Sequence, residues 1–290
     1  MKKDGNAKTA VFSVFSLIWI VPVMIALLNS FKSNDAISRS IFSMPLGDSF
    51  VLFDNYRTAL TFGNYPFLRS FGYSVLISSV STALIIVCCS MAAWYIVRVA
   101  SVFSKIYYYL CLFSLAVPFQ MLMFTLSSTA YRLGLDKPWT IPAVYLGYGA
   151  GMAVFMFTGF VRSLPYEIEE AAVIDGCGPV RTFFCVVFPM MSPIAISVGI
   201  LQLMWIWNDY LLPYLVLDIT EYRTIPIHIQ YLKGSYGSVD LGASLAVIVM
   251  SLIPIMVIYI LCQKYIVKGI AAGAAIMLSK FSASMSSSYS

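Results

Sequence analysis

Six long runs of this chain carry no charged side chain: residues 11–28, 71–97, 106–131, 138–161, 182–208 and 241–263. A bilayer is crossed by about 20 mostly apolar residues in a helix. Inside lipid every backbone N–H and C=O has to be satisfied within the chain, so runs of this kind form helices. The composition agrees, with 60% hydrophobic and 11% charged residues, against about 25% charged in soluble domains. A soluble reading of all 290 residues would need a core larger than single domains build. The expected fold is all-α and polytopic, with six membrane spans at about 11–28, 71–97, 106–131, 138–161, 182–217 and 241–267. Pro22, Pro118, Pro254 and the glycines at 147, 149 and 151 fall inside these runs. Neighbouring helices can satisfy the backbone groups they free.

Six spans put both termini on one side. Lys2, Lys3 and Lys8 precede the first run, which favours a cytoplasmic N-terminus. The first run is longer than a signal-peptide core and lacks a small-x-small cleavage site, so it is read as a retained span. Residues 163–181 then face the cytoplasm, and residues 29–70 and 218–240 face outward. The net charge of +5 follows from membrane orientation, with no nucleic acid needed. The Ser-rich tail at 279–290 is expected to be disordered and cytoplasmic.

Several chemistries are missing from the sequence. No Gly-x-x-x-x-Gly-Lys is present, so the chain has no phosphate-cradling loop of that kind. The six cysteines show no zinc-ligand spacing, and His228, the single histidine, lies far from all of them in sequence. No Gly-x-Ser-x-Gly is present. The expectation is a chain that is not an enzyme and that binds neither metal nor cofactor.

The polar segment between the fourth and fifth runs is the exception to this apolar character. Residues 170–189 read EAAVIDGCGPVRTFFCVVFP. Charge is expensive near a bilayer, so this cluster needs a purpose. Pro165 suits the first turn of a helix, and Ser163 or a neighbour can cap it. Glu167, Glu169 and Glu170 then fall where the helix dipole favours negative charge. Ile168, Ala171, Ala172 and Asp175 follow helical spacing and share a face. Gly176 stops the helix by taking a left-handed conformation, and Pro179 starts the next one. An ordinary interfacial helix fits this pattern as well as a docking site does.

The full spacing is more specific. Glu170-Ala171-Ala172, then Gly176, then Val186-x-Phe188-Pro189 resembles the EAA loop of the inner-membrane permease subunits of ABC importers. Asn55-Tyr56, the stretch Trp207 to Pro213 (WNDYLLP) and the stretch Lys268 to Ala274 (KGIAAGA) are similar to signatures of the carbohydrate-uptake class. The nearest subgroup is the smaller, maltose-type permease. The resemblance implies the type I importer permease fold, with residues 163–181 carrying a cytoplasmic coupling helix. It implies that Glu167, Glu170, Ala171, Ala172, Asp175, Gly176 and Pro189 serve an ATPase-coupling loop. It implies that Lys268, Gly269 and Gly273 contact the ATPase from the C-terminal end. The implied partners are a second homologous permease, two ATPase subunits that bind ATP and Mg, an extracytoplasmic substrate-binding protein and the lipid bilayer. The implied cargo is a sugar or oligosaccharide, with glycerol phosphate or a polyol as alternatives.

A secondary transporter driven by an ion gradient would need intramembrane ionisable groups, and Asp209 alone fits. Gln202, Trp205, Asn208 and Asp209 are candidates for the pathway or an outer gate. Gln202 suits a bond between helices better, and Trp205 an aromatic belt; Asp209 equally suits a hydrated interfacial acid. A continuous helix from about Thr182 places Asp209 about 40 Å along the axis, near the outer interface.

Overall fold

The computed structural model describes residues 2–61, 65–232 and 240–263. All regular elements among them are helical, apart from one isolated bridge between Lys32 and Phe50. The first is α1 (Lys2–Asn29), followed by the short α2 (Asn34–Arg39) and α3 (Asp54–Thr61). Next come α4 (Phe67–Arg98), α5 (Val102–Ala116), α6 (Phe119–Arg132), α7 (Ile141–Val161) and α8 (Glu167–Ile174). A helical stretch follows, made of α9 (Pro179–Thr182), a π-helical turn (Phe183–Val187) and α10 (Phe188–Met190). The remainder is α11 (Ser192–Asn208), α12 (Leu211–Val216), α13 (Ile225–Gln230) and α14 (Leu241–Gln263). The tail at 279–290 and the C-terminal contact residues Lys268, Gly269 and Gly273 lie outside the described residues.

Each expected span falls largely on helix among the described residues, which end at Gln263 within the sixth, but only some are straight. α4, α7 and α14 are long and apolar enough to cross a membrane. Two spans expected to be continuous are each broken by proline. The run at 106–131 is α5 plus α6, bent by 113°. Val117 takes an extended conformation, as residues before proline do, and Pro118 extends the break by one residue. The run beginning at 182 bends by 78° between α10 and α11. Pro193 lacks an N–H and its ring crowds the carbonyl of Pro189, so the helix cannot continue straight. α1 holds a shorter apolar part, Phe15–Asn29, with Phe12, Phe15, Ile18 and Trp19 exposed. That outward apolar surface suits lipid or another membrane subunit.

The chain forms two units. One comprises Met1–Phe71 with Thr224–Val257. Here Asn55 donates to the carbonyls of Ser30 and Lys32, both at 2.8 Å. The Tyr56 hydroxyl lies 2.7 Å from Ser30 Oγ. The Asn-Tyr pair thus holds the chain leaving α1. Lys32 is fully buried and donates to Ser40 O, Ile41 O and Ser43 Oγ. These bonds offset part of the cost of burying its ammonium group.

The other unit comprises Gly72–Arg223 with Ile258–Ser290. Its core includes Ile85, Ala93, Tyr145, Val154, Phe157, Phe183 and Met191. α7 is the central element, packed along α5 and α11. Two of its glycines permit this. A Cβ on Gly151 would meet Ser114 Oγ and lie 2.7 Å from Cys111 O. A Cβ on Gly149 would lie 3.0 Å from Ile85 Cδ1 and 3.1 Å from Gln202 Oε1. Small residues let membrane helices approach this closely.

Candidate functional site

α8 occupies the polar loop between α7 and the next helical stretch. Tyr166 is its N-cap, with no side-chain capping bond. Ser163 does not cap α8; its hydroxyl donates to Phe160 O and closes the end of α7 instead. Pro165 precedes the cap. The first turn carries Glu167, Glu169 and Glu170, where the helix dipole favours carboxylates. The helix stops at Gly176, whose φ is +85°. Gly176 N–H donates to Val173 O, and Cys177 N–H donates to Ala172 O. These two bonds form the Schellman arrangement, which uses the left-handed freedom of glycine. A Cβ on Gly176 would have no atom of the described residues within 4 Å.

Of the four residues expected to share a face open to a partner, only Ala172 is buried. Glu169 and Ala172, three residues apart, point inward at 6% and 7% exposure. Ile168, Ala171 and Asp175, expected to share a face with Ala172, are exposed. Glu169 is held inward by strong partners. Arg98 Nη2 donates to Glu169 Oε1 at 2.7 Å and Arg98 Nε to the same oxygen at 2.9 Å. Trp94 Nε1 donates to Oε2 at 2.9 Å. Arg98 Nη2 also donates to Leu164 O at 3.1 Å, and its guanidinium lies over the Tyr166 ring. Trp94 and Arg98 stand one helical turn apart at the end of α4, so both reach the same carboxylate. Spacing marks Glu169 only as one of three first-turn acids, and Arg98 only as a flanking basic residue. The pairing becomes visible when the fold brings α4 beside α8.

The opposite surface of α8 is open. Glu167, Glu170, Ala171 and Asp175 are exposed, as are the apolar Val173 and Ile174. Ile174 is 85% exposed, and Val180, just beyond the turn, is also exposed. Exposed carboxylates beside exposed branched aliphatic side chains form a surface suited to a protein partner. Pro189 lies further on, exposed in α10. Before it, the π-helical turn places Phe183 against Trp94, with ring centroids 5.5 Å apart.

The candidates on α11 are arranged differently. The helix ends at Asn208, and Asp209 is extended, so a continuous helix does not carry Asp209 outward. Asp209 Oδ2 accepts from the buried Tyr145 hydroxyl at 3.0 Å. Oδ1 accepts from the N–H groups of Leu211 and Leu212, capping α12. Gln202 is buried and donates to Gly149 O at 3.2 Å, while its Oε1 has no partner. Trp205 stands edge-on to Tyr145 and close to Tyr148. Asn208 is exposed and donates to Met204 O in its own helix. No group of three or more His, Cys, Asp or Glu able to hold a metal occurs among the described residues.

Residues 85–272 match the family model described as the binding-protein-dependent transport system inner membrane component. The chain is 33% identical over 261 residues to a probable starch degradation products transport system permease protein of Thermoanaerobacterium thermosulfurigenes. That match covers 90% of this chain and 93% of the relative. It is 30% identical over 282 residues to a multiple sugar-binding transport system permease protein of Streptococcus mutans, covering 94% and 99%. A melibiose/raffinose/stachyose import permease protein of Bacillus subtilis is 29% identical over 276 residues, covering 94% and 97%. The fold matches a chain from the crystal structure of a bacterial ABC transporter that imports alginate. The TM-score is 0.77 at 17% identity, covering 90% of this chain and 95% of that one. The chain is an ABC importer permease subunit, a member of the binding-protein-dependent transport system inner membrane component family.

Proposed function

We propose that this subunit lines the route for a sugar or oligosaccharide in an ATP-driven importer. The relatives named for starch products, multiple sugars and raffinose-type saccharides support the cargo class. A second permease completes the pathway, two ATPase subunits supply the energy, and an external binding protein delivers the solute. Both termini lie in the cytoplasm, consistent with Lys2, Lys3 and Lys8 before the first apolar run.

The observation that carries the coupling role is the outward surface of α8, where Glu170 and Ile174 stand exposed on a helix held from behind. An ATPase groove that binds this surface closes on ATP and carries α8 with it. The loop and the ATPase then share one coupling free energy, so ATP binding shifts the permease and solute delivery shifts hydrolysis. The test is reconstitution of the full complex in vesicles, with uptake of labelled malto- and raffinose-type oligosaccharides measured beside hydrolysis. ATP-dependent uptake of one of these, competed by its unlabelled form, is the expected result. ATP-dependent uptake of glycerol phosphate or a polyol alone would overturn the cargo class, and an ATPase that never co-purifies would overturn the coupling role.

A further inference from the structure

Glu169 faces away from the docking surface, and its environment has no part in the coupling role as stated above. Apart from Ala172, it is the one buried residue of α8. α8 is eight residues long, too short to be stable alone, so its orientation depends on what grips it. α8 packs against α9 and the π-helical turn, and its charged and side-chain hydrogen-bonding grip comes from the last turn of α4. Arg98 reaches Leu164 O ahead of α8 and the Glu169 carboxylate within it. Trp94 reaches the same carboxylate and packs on Phe183, where the chain re-enters the next helical stretch. The start of the loop, its helix and its return are all fastened to residues 94–98. The turn beyond the fastening is π-helical, a geometry found often at functional sites.

We propose that the Trp94–Arg98–Glu169 cluster is the joint through which movement of α8 reaches the transmembrane helix α4. Glu169 is a positioning residue for coupling and touches neither ATPase nor solute. The inference rests on the proposed coupling role of α8. A pull on the outward face of α8 is resisted by a largely buried ion pair that cannot slide without breaking. With the pair intact, α4 follows α8. With the pair broken, the ATPase still has its docking face, but α8 loses its link to α4 and hydrolysis no longer moves α4.

The experiment uses the whole complex in vesicles, with Glu169→Gln, Trp94→Phe and the exchange Glu169→Arg with Arg98→Glu. Three quantities are measured on each preparation: ATPase recovered with the permease, hydrolysis stimulated by the loaded binding protein, and solute imported per ATP. For Glu169→Gln the expected result is normal ATPase recovery with solute per ATP lowered about ten-fold, within the usual range of coupling energies. Trp94→Phe keeps the ring on Phe183 and removes one hydrogen bond, so a smaller loss is expected. The exchange is expected to restore part of the ratio. An unchanged ratio in Glu169→Gln, or loss of the ATPase from that variant, would overturn the joint. A native complex without bound ATPase would instead refute the underlying coupling role.

Discussion

The loop around α8 and the region where α7 meets α11 both place polar side chains in an apolar chain, and they use them in opposite ways. Around α7 and α11 the bonds turn inward. Asp209 holds Tyr145 and caps α12, and Gln202 reaches Gly149 O. At α8 only Glu169 turns inward, while Glu167, Glu170 and Asp175 remain exposed beside Ile174. Polar groups bonded within the chain contribute to stability and shape. Those left outward beside apolar side chains are available to a partner. Substitutions at α8 should therefore remove function without unfolding the protein, and substitutions around α7 and α11 should do the reverse.

The largest effect is expected at α8. Glu170→Lys reverses a charge on the proposed docking face, and Gly176→Leu forces a branched side chain into a left-handed conformation. That strain costs about 1–2 kcal/mol, and the new side chain points into space a partner would fill. Both variants are expected to insert normally and to lose uptake, as measured by transport and ATPase recovery on the same membranes. Thermal unfolding of Glu170→Lys close to that of the native chain, with Gly176→Leu lowered only by its local strain, would confirm that stability is not the cause.

Gly151→Val should produce the converse. Its Cβ has no room against Ser114 and the Cys111 carbonyl, and overpacking of this kind costs about 1–3 kcal/mol. A lower melting temperature is expected, with solute imported per ATP unchanged in the molecules that remain folded. A native melting temperature with lost coupling would erase the contrast between the two regions.

Asp209→Asn should be milder. It keeps one oxygen for capping but weakens the bonds to Tyr145 and to the α12 N–H groups, costing about 1 kcal/mol. Uptake close to native is the expected outcome of a transport assay. A ten-fold loss of uptake with stability retained would place Asp209 in the pathway.

Gln202→Leu should have the smallest effect. Its Oε1 has no partner, so an apolar residue of similar size is expected to be nearly neutral for unfolding. A strong loss of uptake at native stability would show that Gln202 meets the solute.

The sequence and the structure agree where a residue acts through local geometry. Gly176 is legible because only a left-handed turn explains a glycine after that run, and its φ of +85° bears this out. The apolar runs are legible because length and absence of charge require helix in a bilayer. Proline is harder to read. Pro22 sits inside an unbroken α1, whereas Pro118 and Pro193 accompany bends of 113° and 78°. Proline placement alone does not separate a straight helix from a bent one. Glu169 is no more legible from its position. Three acids in one helical turn look alike until α4 brings Arg98 and Trp94 to one of them. Asp209 is conspicuous as an acid in an apolar run, yet its carboxylate holds Tyr145 and caps a helix.

The central claim is that the outward face of α8 meets the ATPase on the cytoplasmic side. A single cysteine placed by Ile174→Cys, in a chain otherwise free of cysteine, tests it most directly, because that position is 85% exposed. In intact cells it should resist a membrane-impermeant thiol reagent added outside. In inside-out vesicles a short bifunctional reagent should crosslink it to the ATPase, with a yield that changes when ATP is added. Labelling from outside, or no crosslink to an ATPase that is present and hydrolysing, would contradict the account.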